Sequence, residues 1–175
     1  GIEQLLRAMP YLPNTQGLRL LIIGGDKHSQ QEIDGLKSLS HSLNIQDSVT
    51  FLGLIDQKKL PSFYSAADVC VVPSYYESFG LVALESLACG TPVVATDVGG
   101  VRSVIRQGET GYIVADNAPW HLAEKIALLL SQPGSGTTSI LKIRASVAQF
   151  SWSSTAEAVI KECWQMLANY PASQC

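Results

Sequence analysis

Two carboxylates stand where the surrounding sequence is apolar. Glu77 and Glu85 lie eight positions apart in ESFGLVALES (77–86), flanked by the runs DVCVVPS and LACGTPVVA, with no Lys or Arg between them. A buried, unpaired carboxylate is costly, and no basic residue stands three or four positions from Glu85 to offset it. Leu81, Leu84 and Ala88 read as the packing face of a helix, which puts Glu85 at the edge of that face. There it is suited to accept hydrogen bonds from two vicinal hydroxyls, as on a ribose; a solvent-facing glutamate is the alternative. Glu77 has two readings as well. Ser74-Tyr-Tyr-Glu77 fits the capping box S-x-x-E, and the same carboxylate fits a ligand contact; the sequence leaves both open.

Between the two acids, Gly80 opens the helix. The backbone N–H groups near Phe79, Gly80, Leu81 and Val82 then lack intrahelical acceptors. Together with the helix dipole they form an anion site, and Gly80 lets a ligand approach the backbone closely. Phosphate can be held this way without a basic patch.

Elements must position these groups, and the chain alternates between two periods. Strands are expected at 17–25, 48–53, 68–74, 91–96 and 110–115, and helices at 29–44, 58–67, 80–89, 119–131, 137–149 and 154–169. Helical spacing also starts at the first residues, with Ile2, Leu5, Leu6 and Met9 on one face, and a helical stub follows GGVRSVI. PGSGTTS (133–139) reads as a flexible loop. Strands that alternate with helices imply βαβ units and a parallel sheet covered on both faces. DVCVVPS, nearly continuous in β-branched residues, reads as one of its covered strands. Ligands of such sheets bind outside the carboxyl ends of the strands.

Composition narrows the classes. The chain has 175 residues, 46% hydrophobic and only 15% charged, and a formal charge of −3. That fits one globular domain with no general pull on nucleic acid or anionic lipid. Cys70, Cys89, Cys163 and Cys175 show no metal-ligand spacing, and Cys70 and Cys89 read as small core residues in a reducing, cytoplasmic setting. His28, His41 and His121 are scattered, so no metal is expected. No apolar run is long enough to span a membrane.

Taken together, ESFGLVALE resembles the Glu-x7-Glu motif of the family 4 retaining glycosyltransferases. The segment from FLGLIDQKKL to ATDVGG (51–100), GETGYIV (108–114) and FSW (150–152) are similar to that family's pattern too. The resemblance covers essentially the whole chain. It implies the C-terminal half of a GT-B fold, a Rossmann-like three-layer α/β/α domain over residues 1–175 with 154–169 as its terminal helix. By the same resemblance, the first strand and the acceptor-binding N-terminal domain precede this chain.

What the resemblance implies about chemistry is specific. The domain would bind a nucleotide-diphospho-sugar, a UDP-, GDP- or ADP-sugar, for retaining transfer of a hexosyl group to an acceptor hydroxyl. Glu77 would be the catalytic residue and would contact the sugar hydroxyls, and Glu85 would hold the ribose. The amides of Phe79, Gly80, Leu81 and Val82 would face the sugar and diphosphate, with Ser74 and Ser78 as polar contacts. Gly53 and Leu54 would lie near the base, and Gly99 and Gly100 near the sugar. No cofactor or metal is required, and the full-length protein has room for peripheral membrane association. Two GT-B alternatives remain: a sugar-nucleotide epimerase, and a non-catalytic nucleotide-sugar-binding module.

Departures from the family pattern carry expectations too. The Arg and Lys usually placed on the diphosphate would lie before residue 1, so the chain alone is expected not to turn over donor. Measurable turnover of a sugar nucleotide by these residues alone would contradict this. Val101 is followed by Arg102 and Ser103 where many members have Pro-Glu, and Arg102 reads as a solvated surface residue. IIGG (22–25) lacks G-x-G-x-x-G and reads as a strand-to-loop turn. Ser153 or Ser154 is expected to cap the last helix, and Trp164 or Tyr170 to be exposed enough to favour self-association.

Overall fold

The structure, a computed structural model, describes residues 1–13, 17–25, 28–131 and 137–169, with side chains at 137 and 138 left aside. In chain order the elements are α1 (Ile2–Ala8), β1 (Leu20–Ile23), α2 (Gln30–Ser42), β2 (Val49–Gly53), α3 (Leu60–Ala66), β3 (Cys70–Val72) and α4 (Leu81–Cys89). They continue as β4 (Val93–Thr96), α5 (Val101–Val104), β5 (Gly111–Val114), α6 (Pro119–Ser131), α7 (Thr137–Ala145) and α8 (Trp152–Ala168). Every expected element is present, and the strands are shorter than the apolar runs that announced them.

All pairings among the described strands are parallel, but they form two ladders rather than one: β1–β2, and β3–β4–β5 in that order. β4 lies in the middle of the second ladder, and all four of its residues are buried. Its alternation builds both cores, because successive side chains leave opposite faces of a strand. Val93 and Ala95 join Val72, Ala83, Leu87 and Val101 on one face. Val94 joins Leu5, Met9, Val114, Leu122 and Ile126 on the other. The result is a sheet between two helical layers. β1 contributes to the second core through Leu20, so the two ladders share apolar packing without a shared hydrogen-bond ladder. DVCVVPS is less covered than its composition suggests, since β3 is the edge of its ladder and, of its three residues, only Val72 is buried.

Cys70 is packed against the first core, and burial pushes its thiol up to about 11. Cys89 is half-buried and Cys163 exposed, while Cys175 and Tyr170 lie outside the described residues. So do residues 132–136, on which the loop reading of PGSG falls; Thr137 already starts α7. The cap of α8 is Ser151, whose Oγ accepts from the Ser154 amide at 3.1 Å, not Ser153 or Ser154. No residue of α8 is buried, and Trp152 and Trp164 are 90% and 68% exposed.

Candidate functional site

The carboxyl ends of β3, β4 and β5 carry loops that are fastened to one another. After β3, Pro73 ends the ladder and an irregular loop with bends at Tyr75, Ser78 and Phe79 leads to Gly80, the N-cap of α4, which adopts φ +95°. A side chain there would be strained by the left-handed backbone and would sit 3.2 Å from Val101 Cγ1. No side chain caps this helix end, so the first-turn amides of Leu81, Val82 and Ala83 are left for another acceptor. The capping-box reading therefore fails. Ser74 lies six residues before the true N-cap, and Glu77 Oε1 instead accepts from the Ser78 amide at 3.0 Å.

Side chains around those amides divide cleanly. Phe79 turns inward and meets Phe150 edge-on, with ring centroids 5.7 Å apart. Leu81 is 61% exposed, and Val82 is exposed with it. The packing face of α4 is Ala83, Ser86 and Leu87, not Leu81, Leu84 and Ala88; of these only Leu84 is partly buried against the core. Small residues let α4 lie close on the sheet and leave the larger ones outward beside its N-terminus.

The loop after β4 supports the loop after β3, backbone on backbone. Gly100 N donates to the Ser78 carbonyl at 3.1 Å. A Cβ on Gly99 would stand 1.7 Å from the Glu77 carbonyl oxygen, and one on Gly100 would stand 3.0 Å from Phe79 Cα. Glu77, Ser78, Phe79, Gly99 and Gly100 are thus brought together as one assembly. Arg102 is not simply solvated. Its side chain is 72% exposed, yet the guanidinium grips Asp97 with both Nε, at 2.6 Å, and Nη2. Asp97, at the root of the glycine loop, had no signal in the sequence beyond its place after a strand.

A buried polar knot ties the three strand ends. Asn117, just beyond β5, donates from Nδ2 to the Pro73 carbonyl at 2.8 Å. Its Oδ1 accepts from Thr96 Oγ1 at 2.5 Å. Asn117 and Thr96 are both buried. Gly1 also comes up against Pro73: a Cβ there would lie 1.5 Å from the same carbonyl oxygen. The amino end of α1 therefore sits beside the root of the Glu77 loop.

Glu85 is half-buried, and its partner is a phenol: Tyr64 Oη donates to Glu85 Oε2 at 3.0 Å. Burial, and then the bond to Glu85, push the Tyr64 hydroxyl well above the ordinary range for ionisation, so it stays a donor. Gly53 ends β2 and Leu54 follows it; the Gly53 carbonyl accepts from the Gly24 amide at 2.9 Å and Leu54 is exposed. Among the described residues no hydrogen bond joins them to the Glu77 loop, and no cluster of His, Cys, Asp and Glu is built to hold a metal. No described helix is long and apolar enough to cross a membrane.

Chemically, the assembly offers uncapped amides for an anion, with Glu77 on the loop before them and Glu85 in the second turn of the same helix, and a glycine-lined floor. Residues 1–146 match the family model described as Glycosyl transferases group 1. A D-inositol 3-phosphate glycosyltransferase of Mycobacteroides abscessus is 42% identical over 176 residues, 98% of this chain and 38% of that protein. A sucrose-phosphate synthase from Thermosynechococcus elongatus shares 40% identity and superposes with a TM-score of 0.82, over 97% of this chain and 43% of that one. The C-terminal domain of a group 1 glycosyl transferase from Francisella tularensis has 28% identity and a TM-score of 0.68, over 85% of this chain and 74% of that one. The chain spans about two fifths of the length of the curated relatives it matches.

Proposed function

The chain belongs to the glycosyl transferases group 1 family and has the Rossmann-like fold of the C-terminal domain of GT-B glycosyltransferases. From that premise, we propose that it is the donor-binding half of a retaining glycosyltransferase that uses a nucleotide-diphospho-sugar. The observation that carries this reading is the uncapped N-terminus of α4 between Glu77 and Glu85. In it, the amides of Phe79 to Val82 take the diphosphate, Glu85 takes the ribose hydroxyls and Glu77 the sugar hydroxyls. Ser74 and Ser78 lie on the same loop as polar contacts. Gly99 and Gly100 hold that loop at the sugar, and Gly53 with Leu54 lies on the side of the base.

As the glycosyl bond breaks, negative charge grows on the leaving diphosphate. Preorganised amides gain most from that change, because they are already aimed where the charge develops. The acceptor hydroxyl attacks on the face the diphosphate leaves, which gives retention. The reading requires no metal and places the protein in the cytoplasm. Acceptor contacts come from outside these residues; the relatives' names, with inositol 3-phosphate and sucrose-phosphate in them, favour a small hydroxyl compound.

The test is a calorimetric panel of UDP-, GDP- and ADP-sugars, with the matching nucleoside diphosphates, on the full-length protein. Glu85→Ala is expected to weaken every nucleotide about 10- to 100-fold, the loss of hydrogen bonds to a charged group. Glu77→Ala should leave the nucleoside diphosphates unchanged while flattening the preference among sugars. Unaltered binding in both variants would refute the site.

A further inference from the structure

We propose that Tyr64 is the positioning residue for Glu85: its phenol, 3.0 Å from Glu85 Oε2, aims the carboxylate at the ribose hydroxyls of the donor. The inference rests on the reading of Glu85 given above and adds to it a residue from a different helix.

The contact is built rather than incidental. Tyr64 lies on α3, 21 residues before Glu85, so the bond spans two helices. No residue of α3 is fully buried, which leaves much of its placement to polar bonds. Thr91 Oγ1 donates to the carbonyl of Tyr64 at 2.5 Å. Ser86 Oγ donates to the carbonyl of Thr91, and the Thr91 amide returns a bond to the carbonyl of Ser86, both at 3.1 Å. Ser86 is fully buried and directly follows Glu85. The backbone of Tyr64 is therefore tied to the turn that ends α4, while its side chain comes back to α4 at Glu85. A ring fastened at both ends has one place for its hydroxyl.

The chemistry of a phenol suits this task. Among the described residues no Lys, Arg or His forms an ion pair with Glu85. The titratable groups that act on Tyr64 besides Glu85 are the thiols of Cys70 and Cys89, both held neutral at ordinary pH because burial raises them, and Arg144 acts on Cys89. A lysine would orient the carboxylate but would also cancel its charge. A neutral donor orients it and leaves the charge, occupying one of about four acceptor positions on the carboxylate. The torsions of the glutamate are then settled before the ligand arrives, and the ligand is spared that ordering.

Tyr64→Phe is the informative variant, since it keeps the ring and the backbone bonds and removes only the hydroxyl. In the full-length protein, it would be titrated with whichever of UDP, GDP and ADP the parent binds, and with the 2′,3′-dideoxy form of that nucleotide. Affinity for the ribonucleotide is expected to fall about three- to tenfold, the range of one hydrogen bond, with the dideoxy form unaffected. A strut with no aim at the ribose would weaken both forms equally or neither, and either result overturns the proposal. Glu85→Gln, measured with the same two ligands, separates the two layers. If it removes the difference between ribo and dideoxy forms while Tyr64→Phe does not, only the role of Tyr64 falls. If that difference survives Glu85→Gln, the ribose assignment of Glu85 falls and takes the inference with it.

Discussion

Gly99→Ala is expected to lower the kcat/KM of the full-length protein for glycosyl transfer by at least about a hundredfold, because an ångström of misplacement at reacting groups has that effect. The cause is local and severe. Gly99 has φ +56°, and its new Cβ would stand 1.7 Å from the carbonyl oxygen of Glu77 and 2.7 Å from the carbonyl carbon. Both obstacles are backbone, so no side chain can swing aside. Either the 97–100 loop lifts, and the bond from Gly100 N to the Ser78 carbonyl is lost, or the Glu77 loop moves. The first strips the Glu77 loop of its backbone support, and the second moves Glu77 itself. Gly108→Ala is the control: its φ of +79° imposes the same kind of backbone strain, yet nothing lies within 4 Å of the added carbon. That variant should lose some melting temperature and little activity. A folded Gly99→Ala protein within about threefold of the parent would show that the two loops need no fixed spacing.

The glycine floor illustrates what the sequence made legible. Period-2 and period-3.6 patterns located each element, and Gly80 marked where α4 begins. Local patterns failed where the partner was distant. Ser74-x-x-Glu77 looked like a capping box because the pattern spans four residues, and nothing within them reveals that the helix waits until Gly80 to begin. The spacing of Leu81, Leu84 and Ala88 suggests one packing face, while the helix turns Ala83, Ser86 and Leu87 inward instead. The close approach of the helix to the sheet admits Ala83 and Ser86 and turns Leu81 outward. The charge of Glu85 looked uncompensated because compensation was sought three and four residues away. Its actual partner lies 21 residues back on another helix, and it is a phenol rather than a cation. Asp97 and Arg102, five apart across a tight loop, were invisible for the same reason.

Asn117 is the sharpest instance and supports the second large effect. In VADNAPW the Asp-Asn pair reads as turn chemistry, which gives no hint that one member is buried. The structure puts Asn117 among the carboxyl ends of three strands, with Nδ2 on the Pro73 carbonyl at 2.8 Å and Oδ1 accepting from Thr96 at 2.5 Å. Asn117→Ala removes both bonds and strands the Pro73 carbonyl, while Thr96 Oγ1 has only the Val72 carbonyl, 3.4 Å away, to fall back on. Each buried polar group left unpaired costs about 1–3 kcal/mol, so a loss of about 2–4 kcal/mol is expected. In a domain of this size that corresponds to a melting temperature lower by about 4–16 °C. Thr96→Val, which removes one donor and leaves Asn117 on Pro73, should cost less, and the double variant should fall short of the sum because the two residues share a bond. The Pro73 carbonyl is also where Gly1 and the root of the Glu77 loop meet. Donor affinity should therefore fall along with stability in Asn117→Ala, measured at a temperature where the variant is fully folded. A melting temperature within about 1 °C of the parent, or intact donor affinity, would mean that the strand ends are held by packing alone.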